Sequence, residues 1–329
     1  MSLTPIPGGA SRETWLVESQ AAPGGEATGL PSRWVLRRDP EGSVSLAPMA
    51  AEFTLLGLAA AAGVQVPEPL ASEPGGGRFG SPGILMSFVE GTSIAPRILR
   101  KSEYERARGR LTGQLAEALA RIHAVEPNGL DGVLPPAAAD PALGQIEEWE
   151  GQLDEIGEPL PAIELGLRWL RANAPEPVEA TLVHGDFRLG NFIVDEGGLA
   201  AVIDWELAHL GDPAEDIGWL CIRSWRFGSD ELPVAGVGEL EPFLAAYESA
   251  GGRPIEPERL RYWEVFGNVK WAIICARQAH HHLTGVRRSH ELASLGRRIC
   301  EPEWDLLELV RATPGDARAP RRRSREATR

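Results

Sequence analysis

The sequence predicts an α+β protein of two lobes, in which a small antiparallel sheet precedes a larger, mainly helical part. Short apolar runs separated by glycine-rich turns fill the region up to about residue 90. Longer stretches with apolar residues at helical spacing follow this region. One hairpin-like stretch near the middle of the chain interrupts the helices and carries several oxygen-bearing side chains. At 329 residues, the chain is long enough for two packed lobes.

Composition and charge narrow the classes of function. Apolar residues make up 43% of the chain, and its formal net charge is −14. This acidic balance argues against nucleic-acid binding, because proteins that bind phosphate backbones carry basic patches. The first residues lack the features of a signal peptide, no apolar run approaches the roughly 18 residues of a membrane helix, and the three cysteines are scattered. We therefore expect a cytoplasmic, reduced protein without nucleic-acid or membrane partners, and the sequence does not indicate its oligomeric state.

The small lobe begins with a predicted β-hairpin. The segment Pro7–Glu13 is rich in glycine, which permits tight turns and a close approach of the backbone to a phosphate. Strand-like runs follow at Thr14–Val17 and Arg33–Arg37. An amphipathic pattern predicts the first helix over Ala50–Ala62, and Gly83–Val89 predicts an apolar strand at the end of the lobe.

The chain beyond about residue 92 is predicted to be mostly helical. Arg108–His123 carries leucines at helical spacing and ends in a histidine that we interpret as a capping or core residue. Residues 127–145, rich in Pro, Gly and Ala, predict an irregular connection. Further helices are predicted at Ile146–Ile156, Ile163–Asn173, Ala214–Arg223, Glu239–Ala250 and Pro257–Leu283. The expected domain bounds are 1–90 and 91–312, and residues 313–329 are expected to form a disordered tail.

The central hairpin brings three polar side chains together. Two apolar strand runs flank a turn centred on Glu196-Gly197. Antiparallel pairing about this turn sets Asn191 opposite Val202, so Asn191 and Asp204 lie at the same open end of the hairpin. Asp186 lies on the loop that leads into the hairpin. We therefore expect one carboxamide and two carboxylates to converge.

This set of side chains suits phosphoryl transfer with Mg²⁺, an ion that prefers oxygen ligands. In protein kinases, the loop H-R-D-x-x-x-x-N places an Asp at the attacking hydroxyl and an Asn on Mg²⁺, and a later Asp also holds metal. His184-Gly185-Asp186 and Asn191 have the same Asp-to-Asn spacing, and Asp204 supplies the later carboxylate. An H-G-D tripeptide alone is weak evidence, because Asp is a common turn former. The complete pattern of loop, hairpin and later carboxylate is much harder to obtain by chance.

The motifs resemble those of the aminoglycoside phosphotransferase and choline kinase superfamily. The resemblance rests on Gly185 in place of the kinase Arg, on Ile203–Glu206 and on Gly211–Asp216. Within this superfamily, three runs of the chain resemble the branch related to kinase domains that are fused to acyl-CoA dehydrogenases. These runs are Gly190–Asn191, Asp204–Ala208 and Leu210–Pro213. The resemblance implies a bilobal, protein-kinase-like fold and the ATP- and Mg²⁺-dependent phosphorylation of a hydroxyl on a small molecule. The acceptor would be a hydroxylated metabolite, such as a hydroxyacyl compound, or an aminoglycoside.

The resemblance also implies a role for individual residues. Asp186 would orient the hydroxyl and accept its proton, while Asn191 and Asp204 would hold Mg²⁺. Four residues would contact ATP: the loop residues Ser11 and Arg12 at its phosphates, and the Ser87 carbonyl and Val89 N–H at its base.

The position of the phosphate-binding cation departs from the kinase pattern. Kinases use a Lys on the third strand, but the two lysines of this chain, Lys101 and Lys270, lie outside the N-terminal hairpin. Arg37 occupies the matching strand position, and its guanidinium keeps the charge and adds a planar fork suited to phosphate oxygens. Glu52, on the first predicted helix, is its expected partner. Arg38 is the alternative if the strand register is shifted by one.

Two other functions remain open from the sequence. A nucleotide-binding regulatory pseudokinase would be favoured by loss of the base or a metal ligand, yet all three of these residues are present. A protein kinase is disfavoured by the H-G-D loop and by the lack of a recognisable A-P-E segment.

Overall fold

A computed structural model describes residues 2–6, 12–19, 32–40 and 48–311. Its first part is a five-stranded antiparallel sheet, with strands β1 (Ser2–Pro5), β2 (Glu13–Glu18), β3 (Arg33–Arg38), β4 (Pro69–Glu73) and β5 (Gly83–Ser87). The strand order is β1-β2-β3-β5-β4. The antiparallel small lobe is therefore confirmed, although β1 was not predicted. The predicted contact of Ser11 and the predicted C-terminal tail lie outside the described residues.

Helix α1 (Met49–Ala61) connects β3 to β4 and packs against β4 and β5. It buries Leu55 and Leu56 beside the sheet, and this apolar contact fixes the helix in place. Glu52 lies in the first turn of the same helix with only 2% of its surface exposed. A carboxylate this deeply buried requires a partner.

Helices dominate the remainder of the described chain. They are α2 (Ala95–Arg100), α3 (Glu105–His123), α4 (Pro141–Ile156), α5 (Pro161–Ala172), α6 (Ala214–Cys221), α7 (Leu240–Ser249), α8 (Pro257–Leu283), α9 (His290–Gly296) and α10 (Cys300–Arg311). Helix α8 has the predicted bounds and lies at the centre of the lobe, where it contacts α4, α5, α6, α9 and α10. None of the helices within the described ranges is both long enough and apolar enough to cross a membrane.

The predicted irregular connection over 127–145 was wrong at its C-terminal end, because α4 already begins at Pro141. The Asp140 side chain accepts hydrogen bonds from the backbone N–H groups of Ala142 and Leu143. An Asp cap followed by proline at the first helical position is a strong start signal for a helix.

Two small antiparallel pairs carry the central motifs: β6 (Thr181–Val183) with β9 (His209–Gly211), and β7 (Phe192–Asp195) with β8 (Gly198–Val202). The predicted pairing of Asn191 with Val202 was wrong by one residue. Phe192 faces Val202, because the register shifts between Ile193 and Val194. The backbone N–H of Ile203 still donates to the Asn191 carbonyl over 2.9 Å, so the expected end of the hairpin is preserved.

The β7–β8 hairpin is hydrogen-bonded to the small lobe and to the segment that leaves it. Thr92 and Val194 exchange two backbone hydrogen bonds of 2.9 Å each. The N–H of Val202 donates to the carbonyl of Gln65, between α1 and β4, over 2.8 Å. The hairpin that carries Asn191 and leads to Asp204 is thus fixed both to the small lobe, at Gln65, and to the segment after it, at Thr92.

Candidate active site

The loop after β6 begins with a histidine that has a structural task. His184 is fully buried, and its Nδ1 accepts the backbone N–H of Asp186 over 3.2 Å. Its ring packs against Trp205, with ring centroids 4.6 Å apart. Burial lowers the pKa of His184, although the nearby Asp216 and Asp186 charges oppose this effect. The ring is therefore neutral, and its hydrogen bond with the Asp186 N–H holds the backbone at that residue.

Gly185 must be glycine at this point of the loop. Its φ is +77°, in the left-handed region that favours glycine. A Cβ atom added there would lie 2.1 Å from the Leu207 carbonyl oxygen. The close approach of the Leu207 segment explains in physical terms why this loop does not carry the arginine of the kinase pattern.

Asp216, on α6, anchors the same loop from its other side. Its carboxylate accepts the N–H groups of His184, over 2.8 Å, and Gly185, over 2.9 Å. His123 lies 3.2 Å from the same carboxylate and 2.7 Å from the hydroxyl of Tyr247. Burial opposes ionisation of Asp216, but the hydrogen bond and charge of His123 outweigh it and lower the pKa. His123 is thus a core residue, as expected from its position at the end of α3.

The carboxylate of Asp186 is oriented by three donors. Arg188 Nε and Trp219 Nε1 donate to Oδ1 over 2.8 and 2.9 Å. Asn191 Nδ2 donates to Oδ2 over 2.5 Å and to the Asp186 carbonyl over 3.0 Å. With 9% of its surface exposed, Asp186 is held in one orientation at the edge of the buried region. A carboxylate has about four acceptor sites, so a further donor can still bind.

Trp219 is a site residue that the sequence analysis missed. It follows Asp216 by three positions on α6, so both side chains lie on the helix face that meets the loop of residues 184–191, the candidate catalytic loop. This spacing could have identified it. The indole also begins a tryptophan cluster, because Trp225 packs on Trp219 and Trp271 packs on Trp225, with centroids 5.2 and 4.7 Å apart.

Asp204 follows the end of β8 by two residues, and its backbone is unusual. Its φ is +71°, a conformation that Asp tolerates better than most residues but that still stores strain. Arg37 Nη2 donates to Asp204 Oδ1 over 2.9 Å. Burial opposes ionisation of Asp204, but the charge and hydrogen bond of Arg37 outweigh it and lower its pKa. The carboxylate of Asp204 is therefore ionised at neutral pH.

The oxygen atoms of Asn191 and Asp204 fit a magnesium site. Because Asn191 Nδ2 is used by Asp186, the carboxamide oxygen of the same planar group points away from that bond. Within the described ranges, no three His, Cys, Asp or Glu side chains group closely enough to cage a metal. Mg²⁺ does not need such a cage, because it commonly takes one or two protein oxygens together with phosphates and water.

Arg37 and Arg38 point to opposite faces of β3. Arg37 bridges Glu52 and Asp204 across the cleft, and these two carboxylates raise its pKa against the effect of burial. Arg38 instead contacts Glu13 Oε2 over 2.8 Å and the Phe79 carbonyl over 2.9 Å. The ion pair between Arg37 and Glu52 is the one expected from the sequence.

Arg12 joins the same charged group. Its Nη1 lies 2.5 Å from Glu52 Oε2, and its Nε lies 3.1 Å from Asp39 Oδ1. Glu52 therefore receives one guanidinium on each carboxylate oxygen, which provides the partners that its burial requires. The predicted base contacts, Ser87 at the end of β5 and Val89 two residues later, lie where the sheet passes into the helical lobe.

A second charged group lies behind the catalytic loop, where Glu215 contacts both His209 and Lys270. His209 Nε2 lies 3.0 Å from Glu215 Oε2, and its Nδ1 lies 2.9 Å from the Leu207 carbonyl. Both ring nitrogens thus face acceptors, an arrangement that suits the protonated imidazolium. Burial lowers the pKa of His209, but Glu215 outweighs this effect and raises it. The pKa of Glu215 is lowered by His209 and Lys270 against the opposing effect of burial.

Replacing His209 by Gln is expected to destabilise the protein more at about pH 5.5 than at about pH 9. The raised His209 pKa contributes stability that is complete below its ordinary value of 6.5 and is lost as pH rises. The lowered Glu215 pKa contributes stability that is present above 4.5 and is lost as pH falls. Denaturant unfolding at both pH values measures the difference, with the exposed His290→Gln as control. A destabilisation independent of pH would contradict the ion pair.

Comparison with known proteins places this geometry in a family. The model of the phosphotransferase enzyme family, APH, matches residues 2–263. Acyl-CoA dehydrogenase family member 10 of Mus musculus is 28% identical over 291 residues, covering 82% of this chain and 27% of that protein. The Arabidopsis thaliana protein IBR3, also named as an acyl-CoA dehydrogenase, is 29% identical over 337 residues, covering 93% and 39%. The chain therefore spans well under half the length of these two relatives.

Solved structures show the same fold at lower sequence identity. A provisionally named aminoglycoside phosphotransferase from Ralstonia eutropha superposes with a TM-score of 0.72 at 23% identity, covering 94% of this chain and 92% of that one. A choline/ethanolamine kinase family protein from Mesorhizobium loti has a TM-score of 0.62 at 17% identity, covering 94% and 88%. The GDP complex of aminoglycoside 2'-phosphotransferase-IIIa has a TM-score of 0.60 at 16% identity, covering 93% of each chain. The predicted bilobal, kinase-like fold is confirmed, and the chain belongs to the phosphotransferase enzyme family.

Proposed function

We propose that the protein transfers the γ-phosphoryl group of ATP, with Mg²⁺, to a hydroxyl group of a small molecule in the cytoplasm. The observation that carries this proposal is the convergence of Asp186, Asn191 and Asp204 at one end of the β7–β8 hairpin, with Arg37 facing them from β3. A carboxylate free to accept a proton and a separate pair of metal-binding oxygens are the two parts that phosphoryl transfer requires.

In the proposed reaction, Asp186 accepts the proton of the acceptor hydroxyl as its oxygen bonds to the γ-phosphorus. The bond between that phosphorus and the β–γ bridging oxygen breaks, which leaves ADP and a phosphate monoester. Arg188 and Trp219 keep the Asp186 carboxylate aimed at the hydroxyl. Because little covalent chemistry is asked of the protein, the rate depends on this positioning and on charge compensation.

Asn191 and Asp204 would hold Mg²⁺, which neutralises charge on the phosphates when it is bound. Arg37 would hold phosphate oxygens through its planar fork, with Glu52 fixing the guanidinium from the other side. Solved structures of fold relatives in complex with GDP and ADP support the use of a nucleotide. Arg12, Ser11, Ser87 and Val89 remain the predicted nucleotide contacts.

A hydroxylated metabolite is the favoured acceptor, and a hydroxyacyl compound is the first to test. Its support is that the curated relatives are named as acyl-CoA dehydrogenases, enzymes whose names point to acyl substrates. Other relatives broaden the choice, because they include a homoserine kinase and a macrolide 2'-phosphotransferase. An aminoglycoside, the other acceptor expected from the sequence, is the comparison compound in the same assay.

The deciding experiment measures ADP release with a panel of hydroxyacyl compounds, free hydroxyl-bearing metabolites and aminoglycosides, with and without Mg²⁺. The proposal expects release that depends on one acceptor class and on the metal. Tight nucleotide binding without any acceptor-dependent release would instead favour the regulatory pseudokinase.

Arg37→Ala is expected to weaken ATP binding and turnover by roughly 10-fold or more, the scale of one bidentate charged contact. Arg38→Ala is the matched control, because its guanidinium lies on the opposite face of β3, at Glu13. Arg37→Lys should restore only part of the activity, since a lysine offers one compact charge. Calorimetry and steady-state kinetics measure both effects. If Arg38→Ala is the damaging change, the phosphate role of Arg37 is refuted.

A further inference from the structure

Lys270 is a buried cation that neither the proposed reaction nor the phosphate contacts use. It lies on α8 with 1% of its surface exposed, and lysine is rarely buried this deeply without a dedicated function or partner. It is also one of only two lysines in the chain, the other being the exposed Lys101. The contacts of its ammonium group should therefore show why a lysine occupies this position.

The ammonium group of Lys270 reaches the catalytic loop directly. Its Nζ donates to the carbonyl oxygen of Gly185 over 2.8 Å, which fixes the peptide that joins Gly185 to Asp186. The N–H of that peptide, which belongs to Asp186, already donates to His184 Nδ1. The N–H of Gly185 itself, in the preceding peptide, donates to Asp216. The residue preceding the catalytic carboxylate is thus held at both its N–H and its C=O.

Lys270 also reaches the Asp186 carboxylate through an aromatic ring. Its Nζ lies 4.9 Å from the ring of Trp219, within cation–π range, and the indole N–H of that ring donates to Asp186 Oδ1. A cation against the ring polarises the indole and strengthens its N–H as a donor. One ammonium therefore acts on both the backbone and the side chain of Asp186.

The simpler reading is that Lys270 only balances the charge of Glu215, whose Oε1 lies 3.2 Å away. Glu215, however, already has His209 as a second partner on its other oxygen. A buried pair is also poor evidence for stability, because desolvation offsets most of its attraction. The contacts with Gly185 and Trp219 are what distinguish a lysine from an apolar side chain at this position.

We propose that Lys270 is the positioning residue of the catalytic loop, which aims the Asp186 carboxylate through the Gly185 carbonyl and the Trp219 indole. This inference rests on the proposed function for its kinetic consequence, but its structural part can be tested without any substrate. It assigns to the buried middle of α8 a part in the geometry of phosphoryl transfer.

The kinetic test compares Lys270→Met with Glu215→Gln. The methionine has similar length and no donor, and kcat is expected to fall about 100-fold, the scale of a misplaced reacting group. The affinity for Mg·ATP should stay within about threefold, because its ligands are elsewhere. Glu215→Gln removes the charge of Glu215 and should therefore lower Tm. It keeps the hydrogen bond from Lys270 to Gly185, so kcat per folded molecule should change less than about threefold.

Lys270→Gln is the second variant, because its amide keeps a hydrogen-bond donor on a shorter side chain. It still allows the test if Lys270→Met does not fold. Its kcat is expected between those of wild type and Lys270→Met. The proposal is overturned if the folded Lys270 variants keep kcat within about threefold of wild type, or if Glu215→Gln loses as much as Lys270→Met.

The second test follows hydrogen exchange of the indole N–H groups by NMR and needs no acceptor, so it stands even if the proposed reaction fails. The Trp219 signal, identified by its loss in Trp219→Phe, should exchange about 10-fold faster in Lys270→Met. The internal reference is Trp263, whose buried indole N–H also donates to a carboxylate, that of Asp212, over 2.9 Å. The variant Lys101→Met should leave both signals unchanged. Equal acceleration of both indoles would show a general loss of stability and refute the positioning role.

Discussion

Asp186→Asn is expected to reduce phosphoryl transfer by at least about 1,000-fold, within the range contributed by a general base. The amide cannot accept the hydroxyl proton, and it also places an NH₂ group where Asp186 now meets only donors from Arg188, Trp219 and Asn191. Mg·ATP affinity should remain within a few-fold of wild type, because the oxygens proposed to bind the metal belong to other residues. Single-turnover kinetics with a saturating acceptor separate this loss from any change in binding.

The exposed Asp154→Asn on α4 provides the control for Asp186→Asn, because it makes the same chemical change at the surface. Its turnover should equal that of wild type. Full turnover by Asp186→Asn would remove Asp186 as the base, and a parallel loss of Mg·ATP binding would indicate that the loop had unfolded.

Replacing Asp204 is expected to lower both Mg·ATP affinity and turnover, each by roughly 100-fold for the loss of a metal carboxylate. Asp204→Asn tests the loss of the charge more specifically than Asp204→Ala does. The backbone φ of +71° is tolerated by Asn but strained for Ala, so Asn removes charge with little disturbance of the loop. Calorimetric titration of ATP with and without Mg²⁺ tests the assignment.

ATP binding in the absence of Mg²⁺ should not weaken in Asp204→Asn, because the lost carboxylate repels the phosphates when no metal is bound. A loss of ATP affinity that appears only in the presence of Mg²⁺ is thus the result expected for a metal ligand. If the variant binds Mg·ATP as wild type does, the metal is held elsewhere.

The candidate site was predictable from sequence where it depends on local geometry. Asp186 and Asn191 lie on one short loop, and a single hairpin carries the chain from Asn191 to Asp204. The off-by-one register of that hairpin did not matter, because the shift near Ile193 occurs on the turn side of Asn191 and leaves the open end intact. Arg37 was predictable from its strand position in the kinase pattern, and alternation along the strand then turns Arg38 to the opposite face.

The support of the site was not predictable, because it comes from distant parts of the chain. Lys270 reaches Gly185 across 85 positions, and Trp219 reaches Asp186 across 33. No periodicity within α8 distinguishes a lysine that points at a backbone carbonyl from one that points at solvent. The start of α4 was missed for another reason, since the local signal in Asp140-Pro141 was present and a composition argument overrode it.

The bonds between the β7–β8 hairpin and the segments around Gln65 and Thr92 bear on how the molecule unfolds. These backbone pairs link the segment after α1, the chain leaving β5 and the hairpin that leads to Asp204. Opening the small lobe alone would take the Gln65 and Thr92 partners away from the hairpin. Hairpin backbone groups that then stay buried without a partner are costly. The two lobes should therefore lose their structure in one cooperative transition. The amides of Thr92, Val194 and Val202 should then exchange with solvent only when the whole chain unfolds.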